Sequence, residues 1–116
     1  MENQKQIIDG LVQELRRGSL VVMVLSQLAE QQYGYSLVQR FEEQGLSLDP
    51  GTLYPLLRRL EKQGLLVSQW DTEGGHPRRY YLLSPAGHEV LAAMAKEWQI
   101  MADLMQRLLP EPEGGK

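Results

Sequence analysis

The stretch DPGTLYPLLRRLEKQGLLVSQWDTEGGHPRRYYLL, residues 49 to 83, restricts the fold more than any other part of the chain. It holds a helix with both ends marked, followed at once by a hairpin. Asp49 is an N-cap residue, Pro50 takes the helical position where a missing N–H costs nothing, and Gly64 supplies the stop. Between them Leu53, Leu56, Leu57 and Leu60 fall on one side, while Thr52, Tyr54, Pro55, Arg58, Arg59 and Lys62 fall on the other. LLVSQW and RRYYLL are rich in β-branched, aromatic and leucine residues, and they flank DTEGGHP, where Gly74, Gly75 and Pro77 interrupt regular structure. The pattern predicts a β-hairpin.

Upstream, Ile7, Ile8, Leu11 and Leu15 recur at helical spacing until Gly18, which is expected to end that helix before Ser19 caps the next. LVVMVL, residues 20 to 25, fits a buried strand or a buried helix equally well; Leu28 and Ala29 extend its apolar face and predict a helix from about Ser19 to Gln31. A third helix, about Tyr35 to Gln44, places Leu37, Val38 and Phe41 on one stripe and stops at Gly45. Ser84-Pro85 repeats the cap-and-proline signal and opens a helix to Leu109, with Pro110 and EPEGGK ending order. The expected architecture is mainly α, an α+β winged helix-turn-helix with a three-helix core and a two-stranded wing. A helix precedes that core and a long helix follows it. In segments, this is a winged-helix unit with its N-terminal helix (1–84), a C-terminal dimerisation helix (85–109) and a disordered tail (110–116).

In a winged helix, the helix before the hairpin enters the DNA major groove and the hairpin touches the flanking backbone. The formal charge of -3 argues against nucleic acid only if charge is evenly spread, and it is not. Residues 52 to 83 carry five Lys/Arg against three Asp/Glu, whereas residues 19 to 51 carry one against four. Phosphate contact needs a local basic surface, whatever the net charge. In an isolated helix Arg58, Arg59, Lys62 and Glu61 would make an ordinary solvated face; the adjoining hairpin favours a binding face. Tyr54 is equally compatible with half-buried packing.

Catalytic readings find little support. Gly34-Tyr35-Ser36 starts like a nucleophile elbow, but Val38 stands where the second glycine belongs. His76 and His88 lack metal-ligand spacing and there is no cysteine, so neither a zinc site nor a disulfide framework is expected. Glu42 and Glu43 are adjacent on a helix and point apart, and Gly74-Gly75 lies in a turn that no helix follows. No cofactor is expected. The longest apolar run is too short to span a bilayer and MENQKQ does not resemble a signal peptide, so a cytoplasmic protein without membrane contact is expected.

In the last helix Leu91, Met94, Trp98, Met101, Met105 and Leu108 repeat in steps of three and four, a coiled-coil seam that needs a partner. A second copy of the chain is the expected one, with Ile8, Leu11 and Leu15 docking on the partner's seam. Trp98, Met94 and Met101 also make an adaptable apolar site for a flat aromatic compound. Two other readings are a small helical adaptor that binds protein and a hydrophobic-ligand carrier without DNA function.

From about Ser19 to Leu109 the chain resembles the PadR family of bacterial transcriptional regulators, in particular its short members with a single C-terminal helix. The resemblance rests on Tyr33-Gly34-Tyr35, on Gly51-Thr52-Leu53-Tyr54-Pro55 leading into Arg59-Leu60-Glu61-Lys62-Gln63-Gly64, and on Gly75-His76-Pro77-Arg78-Arg79-Tyr80-Tyr81 followed by Leu83-Ser84 and Gly87. It implies a homodimeric repressor that binds a pseudo-palindromic operator in double-stranded DNA, often released by a small molecule; some short members sandwich aromatic drugs with a tryptophan of the last helix. The DNA-facing set so implied is Tyr35, Gly51, Thr52, Tyr54, Pro55, Arg58, Arg59 and Lys62, with His76, Arg78 and Arg79 from the wing. Family hairpins often carry arginine where this chain has His76, and a basic residue at Leu82, which weakens the case for wing contacts at those two positions.

Overall fold

The computed structural model describes residues 3 to 112. Helix α1 spans Gln4–Ser26, strand β1 Gln32–Tyr33, α2 Gly34–Glu43, α3 Pro50–Lys62, β2 Leu66–Asp71, β3 Arg78–Leu83 and α4 Pro85–Leu108, with a short 3-10 turn at Glu73–Gly75. The expected winged helix-turn-helix is present: α1, α2 and α3 enclose the core, and β2 and β3 form the wing.

Two expectations about the first third of the chain are corrected. Gly18 does not divide the N-terminal region, because α1 runs unbroken from Gln4 to Ser26. A helical glycine costs about 1 kcal/mol relative to alanine, less than the following apolar residues gain by burying Val24 and Leu25 completely. That helix also stops five residues short of Gln31. The backbone carbonyl of Leu28 accepts a hydrogen bond from Leu83 N–H at 2.9 Å, which draws the chain out of the helix and toward the sheet. The two residues of β1 then pair antiparallel with β3, Gln32 opposite Tyr81 and Tyr33 opposite Tyr80. The wing therefore belongs to a three-stranded sheet of order β1-β3-β2.

The remaining boundaries follow their local signals. The Asp49 carboxylate accepts from Gly51 N–H at 3.2 Å and starts α3, and Gly45 and Gly64 stop α2 and α3 with φ of 96° and 85°. Leu53, Leu57 and Leu60 from α3 are buried with Leu25, Leu37, Phe41, Leu66, Tyr81 and Leu83, so α3 is fixed by its leucine side. Ser84 ties the last helix down. Its hydroxyl accepts from Gly87 N–H at 3.0 Å and donates to the Gly64 carbonyl at 2.6 Å, while its own N–H donates to the Leu65 carbonyl at 3.0 Å. Leu91 and Met94 then pack on the core of their own chain; beyond them α4 continues with Trp98, Met101, Met105 and Leu108 exposed. Of the segment 110–116, residues Glu113 to Lys116 lie outside the described residues.

Candidate nucleic-acid interface

Burying the leucines of α3 turns Gly51, Thr52, Tyr54, Pro55, Arg58, Arg59 and Lys62 outward, all of them exposed. Among the described residues the ion pairs are Lys5–Asp9 and Arg79–Glu61, so Arg58, Arg59 and Lys62 make none with a carboxylate of the protein. Pro55 sits inside the helix and has no N–H to give the carbonyl of Gly51 one turn earlier. The face is thus cationic.

Tyr54 serves packing and exposure together. Its ring lies so close over Gly34 that a Cβ there would stand 2.7 Å from Cε1, yet the residue remains 37% exposed. This contact accounts for the glycine of Tyr33-Gly34-Tyr35: a side chain there would displace the Tyr54 ring from its place over α2. Tyr33 and Tyr35, on either side of it, stack with ring centroids 5.8 Å apart, and Tyr80 meets Tyr33 edge-on.

The two wing arginines are used differently. Arg78 lies over the Tyr33 ring, 4.7 Å from its centroid, and donates to the Tyr35 hydroxyl at 2.9 Å, while the residue stays exposed. Arg79 is half-buried. Its Nε donates to Ser68 Oγ at 3.0 Å and its Nη2 to Glu61 at 3.3 Å, and the guanidinium lies between the rings of Trp70 and Tyr81. The Ser68 hydroxyl in turn donates to Glu61 at 2.6 Å, closing a triangle that fastens the wing to α3. The sequence pattern places Arg79 among the outward cations and Glu61 as a neighbouring charge of α3; the fold joins the two, across 18 residues of sequence. Ser68, facing inward opposite Tyr81 in the hairpin, was the missing signal.

Where the strands of the wing meet its turn, Tyr33 donates to Asp71 at 2.6 Å. That bond, helped by the Glu73 N–H, holds the Asp71 carboxyl below its ordinary range, and the same bond raises the Tyr33 phenol. Burial raises the Tyr81 phenol. Gly74 and Gly75 turn the chain at the wing tip with φ of 84° and 82°, and His76 stands exposed beside them. The arrangement therefore presents one cationic helix face, flanked by an aromatic-lined cleft and a wing braced at a fixed spacing. Among the described residues no cluster of histidine, cysteine and carboxylate could hold a metal.

A three-helix core with its third helix outward and a hairpin braced beside it defines a winged-helix transcriptional regulator. The sequence from residue 22 to 93 matches the transcriptional regulator PadR-like family, and the chain belongs to that family. It is 34% identical over 99 residues to a transcriptional regulator of Mycobacterium tuberculosis, covering 84% of this chain and 90% of the other. The crystal structure of a PadR family regulator from Eggerthella lenta matches with a TM-score of 0.83 and 45% identity over 93% of this chain and 96% of its own. A PadR-like regulator from Bacillus cereus matches with a TM-score of 0.76 and 26% identity, covering 85% and 99%. No helix among the described residues is long and apolar enough to cross a membrane.

Proposed function

We propose that the protein is a homodimeric repressor that seats α3 in the major groove of a pseudo-palindromic operator and is released by a flat aromatic effector. The observation that carries the DNA contact is the outward face of α3, whose three cations face solvent without a carboxylate partner among the described residues while its leucines are fully or largely buried. In this reading Thr52, Tyr54, Pro55 and Arg58 meet base edges, Arg59, Lys62 and Arg78 meet phosphates, and Tyr35 orients Arg78. Arg79 acts on wing position.

Dimerisation is supported by apolar surface that one copy leaves open. Ile8, Leu11 and Leu15 on α1 are 57%, 60% and 68% exposed, and Trp98, Met101, Met105 and Leu108 on α4 are open as well. A patch of this kind marks an interaction surface. A two-fold dimer presents two equivalent recognition helices, so the half-sites are expected about 34 Å apart, one helical turn. DNA selected by the purified protein and then footprinted is expected to show two such half-sites; full affinity for a single asymmetric half-site contradicts the reading.

The effector is supported by an apolar groove of about 590 Å³ between α1 and α4, lined by Leu15, Val22, Ala93, Met94, Trp98 and Met101 among others. Indole offers a wide stacking face, and methionine is unbranched and repacks readily around different guests. Planar cationic dyes are expected to quench Trp98 more than Trp70 and to lower operator affinity. If saturating dye moves neither signal in single-tryptophan variants that remain dimeric, Trp98 is a packing residue alone.

A further inference from the structure

The two flanks of α3 are built differently. On one flank Tyr54 and Arg58 share a cleft with Trp70 and Arg78 of the wing. On the other, Thr52 shares a cleft with Gln13, Arg16 and Arg17 of α1 and with the turn Leu46 to Asp49. A helix lying in the major groove has a phosphate backbone on each side of it, about 12 Å apart across the groove. The wing covers one side with a cation, and the side facing α1 needs its own.

We infer that Arg16 and Arg17 are a second phosphate clamp, contacting the DNA strand across the groove from the wing. The proposal rests on the reading that α3 enters the major groove. Both arginines are exposed, and neither forms an ion pair among the described residues. The carboxylate in their cleft is Asp49, which is already engaged by the Gly51 N–H at the start of α3. Helical geometry separates this function from dimerisation. At 3.6 residues per turn, Gln13, Arg16, Arg17, Leu20 and Met23 fall on one side of α1, and Leu15, Ser19 and Val22, which line the groove with α4, fall on the opposite side. One long helix thus faces the last helix on one side and offers two guanidinium groups beside α3 on the other. The unbroken passage of α1 through Gly18 makes this possible, because a break there would uncouple the arginines from the core.

The test compares the salt dependence of operator affinity for the wild-type chain, Arg16→Ala/Arg17→Ala, Arg16→Lys/Arg17→Lys and Arg58→Ala/Arg59→Ala, with dimer mass and thermal unfolding measured alongside. Each phosphate contact contributes about 0.9 to the slope of log K against log salt. The Arg16/Arg17 alanine variant is expected to lower that slope by roughly 1 to 2 with folding and dimer mass unchanged, and the lysine variant to keep it. Ethylation interference is expected to disappear at phosphates across the groove from those lost with Arg78→Ala. An alanine variant with the wild-type slope, or one that loses affinity without any change in slope, overturns the inference. The DNA reading then still stands on the Arg58/Arg59 result. A wild-type chain whose DNA binding does not depend on salt overturns that reading, and the clamp with it.

Discussion

Replacing Arg58 and Arg59 together with alanine is expected to weaken operator binding by roughly 10- to 100-fold or more, at about 1–3 kcal/mol for each contact that reads a base. The fold is expected to be unaffected, because both side chains point away from the leucines that hold α3 and neither is paired with a carboxylate among the described residues. Measured at one fixed salt concentration, the affinity should fall while the unfolding temperature stays within a degree or two. Leu57→Ala gives the opposite pattern. That side chain is completely buried, and its truncation should cost about 2–5 kcal/mol of stability. Unchanged operator affinity in the arginine double variant would take α3 out of the groove.

A single added methyl at Gly87 should be nearly as damaging as Leu57→Ala. In Gly87→Ala the new Cβ would stand 2.1 Å from the carbonyl oxygen of Leu65 and 3.1 Å from Cδ2 of Leu83. The oxygen belongs to backbone and already accepts the Ser84 N–H, so it cannot move without breaking the contact that joins α4 to the start of β2. Overpacking of this kind costs about 1–3 kcal/mol, occasionally more, and for a chain of this size a loss of about 2 kcal/mol lowers Tm by roughly 10 °C. Gly18→Ala, where the added methyl meets nothing within 4 Å, should stabilise α1 slightly. Calorimetry at matched protein concentration separates the two, since a dimer's Tm depends on concentration. A Gly87→Ala variant as stable as the wild type would mean that α4 does not dock through Gly87 on the Leu65 carbonyl.

The glycines of this chain divide into those with a local role and those whose role depends on distant contacts. Gly45 and Gly64 were recognised as helix stops because the signal is local: a residue with positive φ just past the last helical turn. Asp49-Pro50 and Ser84-Pro85 were equally plain, since capping involves atoms within three residues of one another. The outward set on α3 followed from period and needed no knowledge of what the leucines pack against. Gly18 carries the same residue type as those stops, but its consequence depends on whether the residues after it find a core. Gly34 and Gly87 are glycine because a ring and a carbonyl from distant parts of the chain approach them.

Local chemistry therefore settled both ends of α3, the stop of α2, the start of α4, the presence of a hairpin and which face of α3 is polar, because each depends on backbone geometry and periodicity over a few residues. The pairing of two-residue β1 with β3, the continuity of α1 and the different uses of Arg78 and Arg79 were decided by contacts between segments far apart in sequence. Two residues are too few to carry a strand period, and β1 exists because β3 has a free edge for it. Adjacent arginines on a strand point to opposite faces; the fold put Glu61 and Ser68 under Arg79 and left Arg78 over the Tyr33 ring.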